Sequence, residues 1–265
     1  LSPGPNHTAL LTRPAPLIGT FHAAGGSLAY DMMPRATRFL AGRLDDRCAV
    51  SEDAKKMAQE ALGGQYDVTF NGVELARFAS GSPHPTTAPT IFFLGRHEPR
   101  KGLRVLLDAM SQLPPDTRLW VAGEGQETDE LMAEHAGDRR IEWLGTISET
   151  EKIARLRGAD VFCAPSLGGE SFGIVLLEAM AAGTAVVAGD IPGYANVARQ
   201  GRDALLVPPD DARELAHALT AVLSRADERE GLVESGLKRA EEFSMARLAQ
   251  LYLGRYERLA AGAPR

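Results

Sequence analysis

Short apolar runs alternate with segments of helical periodicity along almost the whole chain, and this alternation constrains the fold more than any other feature. The runs fall at 17–21, 47–50, 68–70, 90–94, 118–122, 141–143, 161–164, 185–188 and 205–207. Between them lie segments such as 103–113, where Leu103, Leu106, Leu107, Met110 and Leu113 share one helical face. Strands and helices in this order predict an α/β architecture of parallel layers. At 265 residues and 44% hydrophobic content the chain exceeds one ordinary domain and can bury a sizeable core.

The organisation follows from one break in the pattern. "ASGSPHPTTAPT", 79–90, is rich in Ser, Thr, Pro and Gly and has no periodicity, so it reads as a linker. Residues 1–78 then form part of a first doubly wound unit, and 91–243 hold a full set of βα units. Residues 244–265 form a C-terminal helix, amphipathic through Leu248, Leu251, Tyr252 and Tyr256. The chain opens on Leu1, and "LSPGPNHTALLTRPAP" reads as the interior of a longer chain rather than a signal peptide.

Several function classes are disfavoured. A net charge of −6 argues against a general nucleic-acid binder. The two cysteines, Cys48 and Cys163, stand far apart, outside any CxxC, and are expected as small hydrophobes in strands of a protein from a reducing compartment. No run approaches the roughly 18 apolar residues of a membrane span. Arg35, Arg38, Arg43 and Arg47 fall in one expected helix, but at about 100° per residue they scatter over half its circumference and make no lipid-binding stripe. No HExxH, DxD or Cys/His cluster appears, so no protein metal site is expected.

Two stretches carry chemistry. "IFFLGRHEPRKGLRVLLDAM" is a strand, a basic loop and a helix, with Arg96, Arg100 and Lys101 where ligands of open parallel sheets collect. "FCAPSLGGESFGIVLLEAM" runs from a strand through a Gly-Gly turn into a helix expected to start near Phe172, with Ile174, Leu177 and Ala181 toward the sheet. A helix start favours an anion such as a phosphate. Glu170 stands before that start and Glu178 two turns along, about 12 Å away by helical rise. They cannot act as an adjacent acid–base pair, but they can grip two ends of a long ligand, and a nucleotide sugar has that shape. Each also has a structural alternative: Glu170 as a helix N-terminal charge worth about 0.3–1 kcal/mol, Glu178 as an ordinary exposed residue. Against the second, Glu178 stands within "IVLLEAMAAG", where an unsatisfied carboxylate is costly.

On these residues the sequence resembles the family-4 retaining glycosyltransferases of GT-B fold. "GGESFGIVLLEAMAAGTAVVAGDIPG" resembles their E-x7-E motif, "FLGRHEPRKG" their donor-diphosphate loop and "TFNGVE" the segment before their interdomain linker. Within the family it is similar to members that transfer mannose from GDP-mannose to phosphatidylinositol, an early step of phosphatidylinositol mannoside synthesis. The resemblance implies two Rossmann-like domains with a cleft between them, the first incomplete here and lacking its Gly-rich loop and most of its acceptor surface. Such a chain is expected to bind nucleotide weakly and turn over poorly. It implies that Arg96 and Lys101, with Arg100, bind the diphosphate and stabilise it as it leaves. Glu170 would contact the hexose, Gly173 and Ile174 would offer backbone amides to the phosphates, Glu178 would hold the ribose, and Ile147, Ser148, Glu149 and Lys152 the guanine. Ser171 and Phe172 would also belong to the donor site. His22, in "LIGTFHAAGG", matches the family's functional histidine and would face the sugar; the other five histidines are read as structural. Transfer would retain the anomeric configuration by a front-face mechanism, without a flanking pair of carboxylates. A Mg²⁺ ion travelling with the diphosphate is compatible with this. The place of work would be cytoplasmic, peripheral on the inner face of the plasma membrane, with a nucleotide sugar and a phospholipid as partners. The alternatives are a family-4 enzyme with another donor or acceptor, or a non-catalytic nucleotide-binding remnant.

Overall fold

The computed structural model of the chain describes residues 5–13, 15–22 and 34–262. They belong to two compact units, one drawn from Leu1–Gly72 and Met245–Arg265, the other from Val73–Ser244.

The first unit holds three parallel strands in the order β1 (Ile18–Phe21), β2 (Asp46–Ala49) and β3 (Asp67–Val68). Local sequence sets the edges of the helix Glu52–Leu62 that follows β2. The Ser51 hydroxyl accepts from the Ala54 amide, Glu52 and Asp53 occupy the positive first turn, and Gly63 ends the helix at φ +71°. Ala54, Ala58 and Leu62, one turn apart, are its buried face. Of the four arginines expected in one helix, only Arg35 and Arg38 lie in Pro34–Ala41; Arg43 follows it and Arg47 is in β2.

The C-terminal helix Met245–Ala260 belongs to this first unit. Its expected apolar face is corrected by the structure, since Leu251 and Tyr256 are exposed. What turns inward is polar. Arg255 Nη1 donates to Asp46 Oδ2 at 2.7 Å and Asp67 Oδ2 at 3.0 Å, and the Tyr252 and Thr20 hydroxyls are hydrogen-bonded. β2 and β3 both open on an aspartate, and a buried Asp46 needs a cation more than a leucine.

In the second unit six parallel strands, β4 (Thr90–Leu94), β5 (Arg118–Ala122), β6 (Ile141–Gly145), β7 (Val161–Ala164), β8 (Ala185–Gly189) and β9 (Leu205–Val207), run in the order β6-β5-β4-β7-β8-β9. β7 and β8 are buried along their whole length, as strands covered on both faces are. Both cysteines are buried in strands, Cys48 in β2 and Cys163 in β7. The helix expected over 103–113 runs from Leu103 to Ala109 and tightens into a 3-10 turn at Met110–Gln112. Its residues Leu103, Leu106, Leu107 and Met110 are fully buried, each worth about 1.5–3 kcal/mol of apolar transfer. The stretch 79–90, expected as a linker, is instead laid along the helix Glu149–Gly158 of the second unit. The His84 amide donates to Ala154 O at 2.8 Å, and its ring meets Trp120 edge-on at 5.1 Å.

The strand order reverses between β4 and β7: the chain moves outward through β5 and β6, then returns to the other side of β4. Loops leaving two such neighbours diverge and leave a crevice at the carboxyl edge.

Candidate active site

Both stretches singled out in the sequence leave the sheet at that crevice. The loop after β4 carries Arg96, Glu98 and, in the turn Pro99–Lys101, Arg100 and Lys101. The loop after β7 carries Gly169, Glu170 and Ser171 before the helix Ile174–Ala181. The backbones approach until a side chain has no room. Gly102 has φ +67°, and a Cβ there would lie 2.0 Å from Pro165 O, while Leu167 N–H donates to Arg100 O at 2.8 Å. Gly193 plays the same part on the other side of Glu170, whose carbonyl oxygen would be 2.0 Å from a Cβ at 193.

His97 anchors the basic loop beneath. It is buried, with Nδ1 2.8 Å from Thr128 Oγ1 and its ring 5.9 Å from Trp143, and burial pushes its pKa below the usual histidine value. It is a neutral packing group, in line with its structural reading. Above it the charges alternate. Lys101 Nζ and Arg100 Nη1 converge on a single oxygen, Glu170 Oε1, at 2.6 and 2.9 Å. Glu98 spends one oxygen on each neighbour, Oε1 on Arg96 Nη1 at 2.8 Å and Oε2 on Arg100 Nε at 3.0 Å. Three cations against two carboxylates leave one positive charge in excess, beside the start of a helix that no side chain caps. The arrangement suits an anion that can displace a carboxylate from Lys101 and Arg100.

The helix begins at Ile174, with Gly173 (φ +92°) as its N-cap, rather than near Phe172. Phe172 is buried and its ring lies edge-on to Phe243 at 5.6 Å, so its side chain serves packing. Of the expected inward face, Leu177 and Ala181 are buried and only Ile174 is corrected to half-buried; Leu176, Ala179 and Met180 are buried beside them. The helix is covered on a second side, where Gly236 of the helix Ala226–Glu242 lies against the Met180 side chain.

Two turns along, Glu178 has the partner its apolar surroundings demand. Lys152 Nζ donates to Glu178 Oε1 at 3.0 Å, lies 3.0 Å from Glu149 Oε1 and sits over the Phe78 ring. Burial pushes the Glu178 pKa above the usual carboxylate range, and Lys152 opposes that push. Ile147 is half-buried and Ser148 exposed. The Ser148 hydroxyl accepts from the Glu151 amide and caps the helix Glu149–Gly158.

The structure thus brings Arg96, Arg100, Lys101 and Glu170 together, and separately Glu149, Lys152 and Glu178, all within the second unit. His22 lies just beyond β1, exposed, in the first unit. Two contributors went unread in the sequence. Glu98 spans two arginines through loop geometry that no spacing rule encodes. Tyr194, whose hydroxyl is 2.8 Å from Ser166 Oγ and whose ring packs against Gly173, had only the neighbouring "DIPG" turn as a signal. Among the described residues no cluster of His, Cys, Asp or Glu is placed to hold a metal ion, and no helix is long and apolar enough to cross a membrane.

Comparison with known proteins identifies the family and the fold. Residues 77–239 match the family of glycosyl transferases group 1. The chain is 39% identical to the phosphatidyl-myo-inositol mannosyltransferase of Mycolicibacterium smegmatis, over 97% of this chain and 68% of that one. It is 38% identical to the enzyme of the same name from Mycobacterium leprae, over 95% and 70%. Among solved structures, Anabaena HepE in complex with UDP superposes with a TM-score of 0.82 at 20% identity, over 96% of this chain and 75% of that one. The sucrose-phosphate synthase of Thermosynechococcus elongatus gives 0.80 at 23%, over 96% and 70%. These neighbours place the fold as α/β of GT-B type.

Proposed function

The chain belongs to the group 1 glycosyl transferases, and from that premise we propose that it transfers mannose from GDP-mannose to phosphatidylinositol with retention of configuration. The observation that carries the reading is the convergence of Lys101 and Arg100 on one oxygen of Glu170, where the strand order reverses and an uncapped helix begins. A diphosphate seated there takes over both cations and the helix-terminal amides of Gly173 and Ile174. Glu170, released, accepts hydrogen bonds from the hexose hydroxyls, and Glu178 accepts from the ribose.

In the reaction the bond from the anomeric carbon to the diphosphate oxygen breaks, and a bond to the inositol oxygen forms on the same face. The proton of the acceptor hydroxyl passes to the departing phosphate. Charge grows on that phosphate as the bond breaks, so fixed positive charge at Lys101, Arg100 and Arg96 lowers the barrier more than it favours the ground state. The guanine falls to Ile147, Ser148 and Glu149, and His22 takes the part that the family resemblance gives it, at the transferring hexose. The mannosyltransferases similar to this chain act, by name, on a phosphatidyl-myo-inositol, which supports a lipid acceptor; the proposed place of work is peripheral, at the inner membrane face.

Calorimetric titration with GDP, UDP and ADP tests the donor, alongside Lys101→Ala and Glu178→Ala. Selective binding of GDP, weakened by both substitutions, is expected. A preference for UDP would remove mannose transfer and leave the family. Radiolabelled GDP-mannose with phosphatidylinositol vesicles then tests the acceptor, and the anomeric coupling of the product tests retention.

A further inference from the structure

A line of alternating charge leads from the surface of the second unit to Glu178. Arg77 Nη2 lies 3.2 Å from Glu149 Oε2, Glu149 Oε1 lies 3.0 Å from Lys152 Nζ, and Lys152 Nζ donates to Glu178 Oε1 at 3.0 Å. Lys152 is buried, with two carboxylates on its ammonium and the Phe78 ring 5.5 Å away. Glu178 keeps 18% of its side-chain surface exposed, and among the described residues its second oxygen has no hydrogen-bond partner.

We propose that Lys152 is a positioning residue for ribonucleotide binding, holding Glu178 as a fixed, charged acceptor for the ribose hydroxyls by contact with the carboxylate rather than with the nucleotide. The inference rests on the reading of Glu178 as the ribose ligand. One oxygen is pinned by the ammonium and the other is left open, so the carboxylate is oriented before the ligand arrives. The other cations nearby are committed elsewhere: Arg157, on the helix of Lys152, donates to Phe78 O and Ala182 O. The charged groups acting on Glu178 are Lys152, Glu149 and Arg77, and Arg77 is already committed to Glu149. The flanking strands β7 and β8, VFCA and AVVAG, carry no charged side chain. On the helix Ala226–Glu242, Lys238 is paired with Glu234 and Arg239 with Glu242.

The sign of the pH dependence follows. Burial raises the Glu178 pKa and Lys152 holds it down, so without the lysine the carboxylate takes up its proton at a higher pH. Binding that needs the charged form is then lost earlier as pH falls and recovers as pH rises.

The test compares GDP with 2′,3′-dideoxy-GDP, which has no ribose hydroxyls to offer, on wild type, Lys152→Met and Lys152→Arg from mildly acid to alkaline pH. Lys152→Met is expected to weaken GDP binding by about tenfold at mildly acid pH, as losing the charged, oriented acceptor does. The deficit shrinks as pH rises, dideoxy-GDP is bound as by wild type, and Lys152→Arg restores most of the loss. Dideoxy-GDP binding also shows that the variant is folded, and Lys152→Gln serves where Met is not tolerated. Equal losses for GDP and dideoxy-GDP would overturn the proposal, because Lys152 would then touch the base or phosphates or merely support the fold. A GDP deficit independent of pH would overturn it as well. Wild type binding both nucleotides alike would overturn it at its root, since Glu178 would not be the ribose ligand.

Discussion

Glu170 and Glu178, eight residues apart, are neutralised in opposite ways. Glu170 lies in a loop and shares one oxygen between Lys101 and Arg100, which also answers to Glu98, itself bound to the exposed Arg96. Glu178 lies on a helix and is held by one buried lysine whose remaining contacts are a carboxylate and an aromatic ring. The first arrangement is exchangeable: a diphosphate can take the place of Glu170 on the same cations, so the charge desolvated before and after is similar. The second is fixed, because removing the lysine leaves the Glu178 carboxylate without a cation among apolar side chains. An anion that must enter and leave suits the exchangeable end, and a neutral diol suits the fixed one.

The largest effect is expected where the exchangeable end meets its rigid support. Gly102→Ala forces a Cβ onto Pro165 O at a positive φ and should cost about 3 kcal/mol. By calorimetry that is a fall in Tm of roughly 6–12 °C for a unit of this size, and an unchanged Tm would mean that the two loops are not locked together. Next, Lys101→Ala should weaken GDP binding by about 10–100-fold, as losing a charge-assisted hydrogen bond does. Loss of less than a factor of two would place the diphosphate elsewhere. The smallest effect belongs to Arg96, whose side chain is 67% exposed. Arg96→Ala should cost about two- to fivefold in GDP affinity, and the difference should fade as salt is added. A larger, salt-insensitive loss would show that Arg96 closes onto the diphosphate and is buried by it.

The α/β layers were legible because alternation of strand and helix is a local property: every apolar run of the sequence overlaps a strand of the fold, the run 68–70 only at Val68. The pair Glu170 and Glu178, with the basic loop, was legible for a related reason, since positions beyond a strand and along a helix follow from the chain itself. Long-range ion pairs were not legible. Lys152 and Glu178 meet across 26 positions, and hydropathy alone marks Glu178 as misplaced without naming its partner. Arg255 misled the reading of the last helix for the same reason. Two aspartates from distant strands make a buried arginine favourable there, and a periodicity rule then turns Leu251 and Tyr256 the wrong way. Glu98 escaped because a loop, unlike a helix, has no fixed angle per residue.

The joins of the second unit carry one more consequence. Val73 N–H donates to Phe243 O at 2.9 Å and Val73 pairs with Ser244 in a short parallel bridge, so the unit's first and last residues lie side by side. A stretch of chain that enters and leaves at one spot behaves as a cassette. Recombination can exchange it with two cuts at the same place, without rethreading the remainder. The residues proposed here to choose the nucleotide all lie between those cuts, so a change of donor asks for one contiguous replacement in the gene.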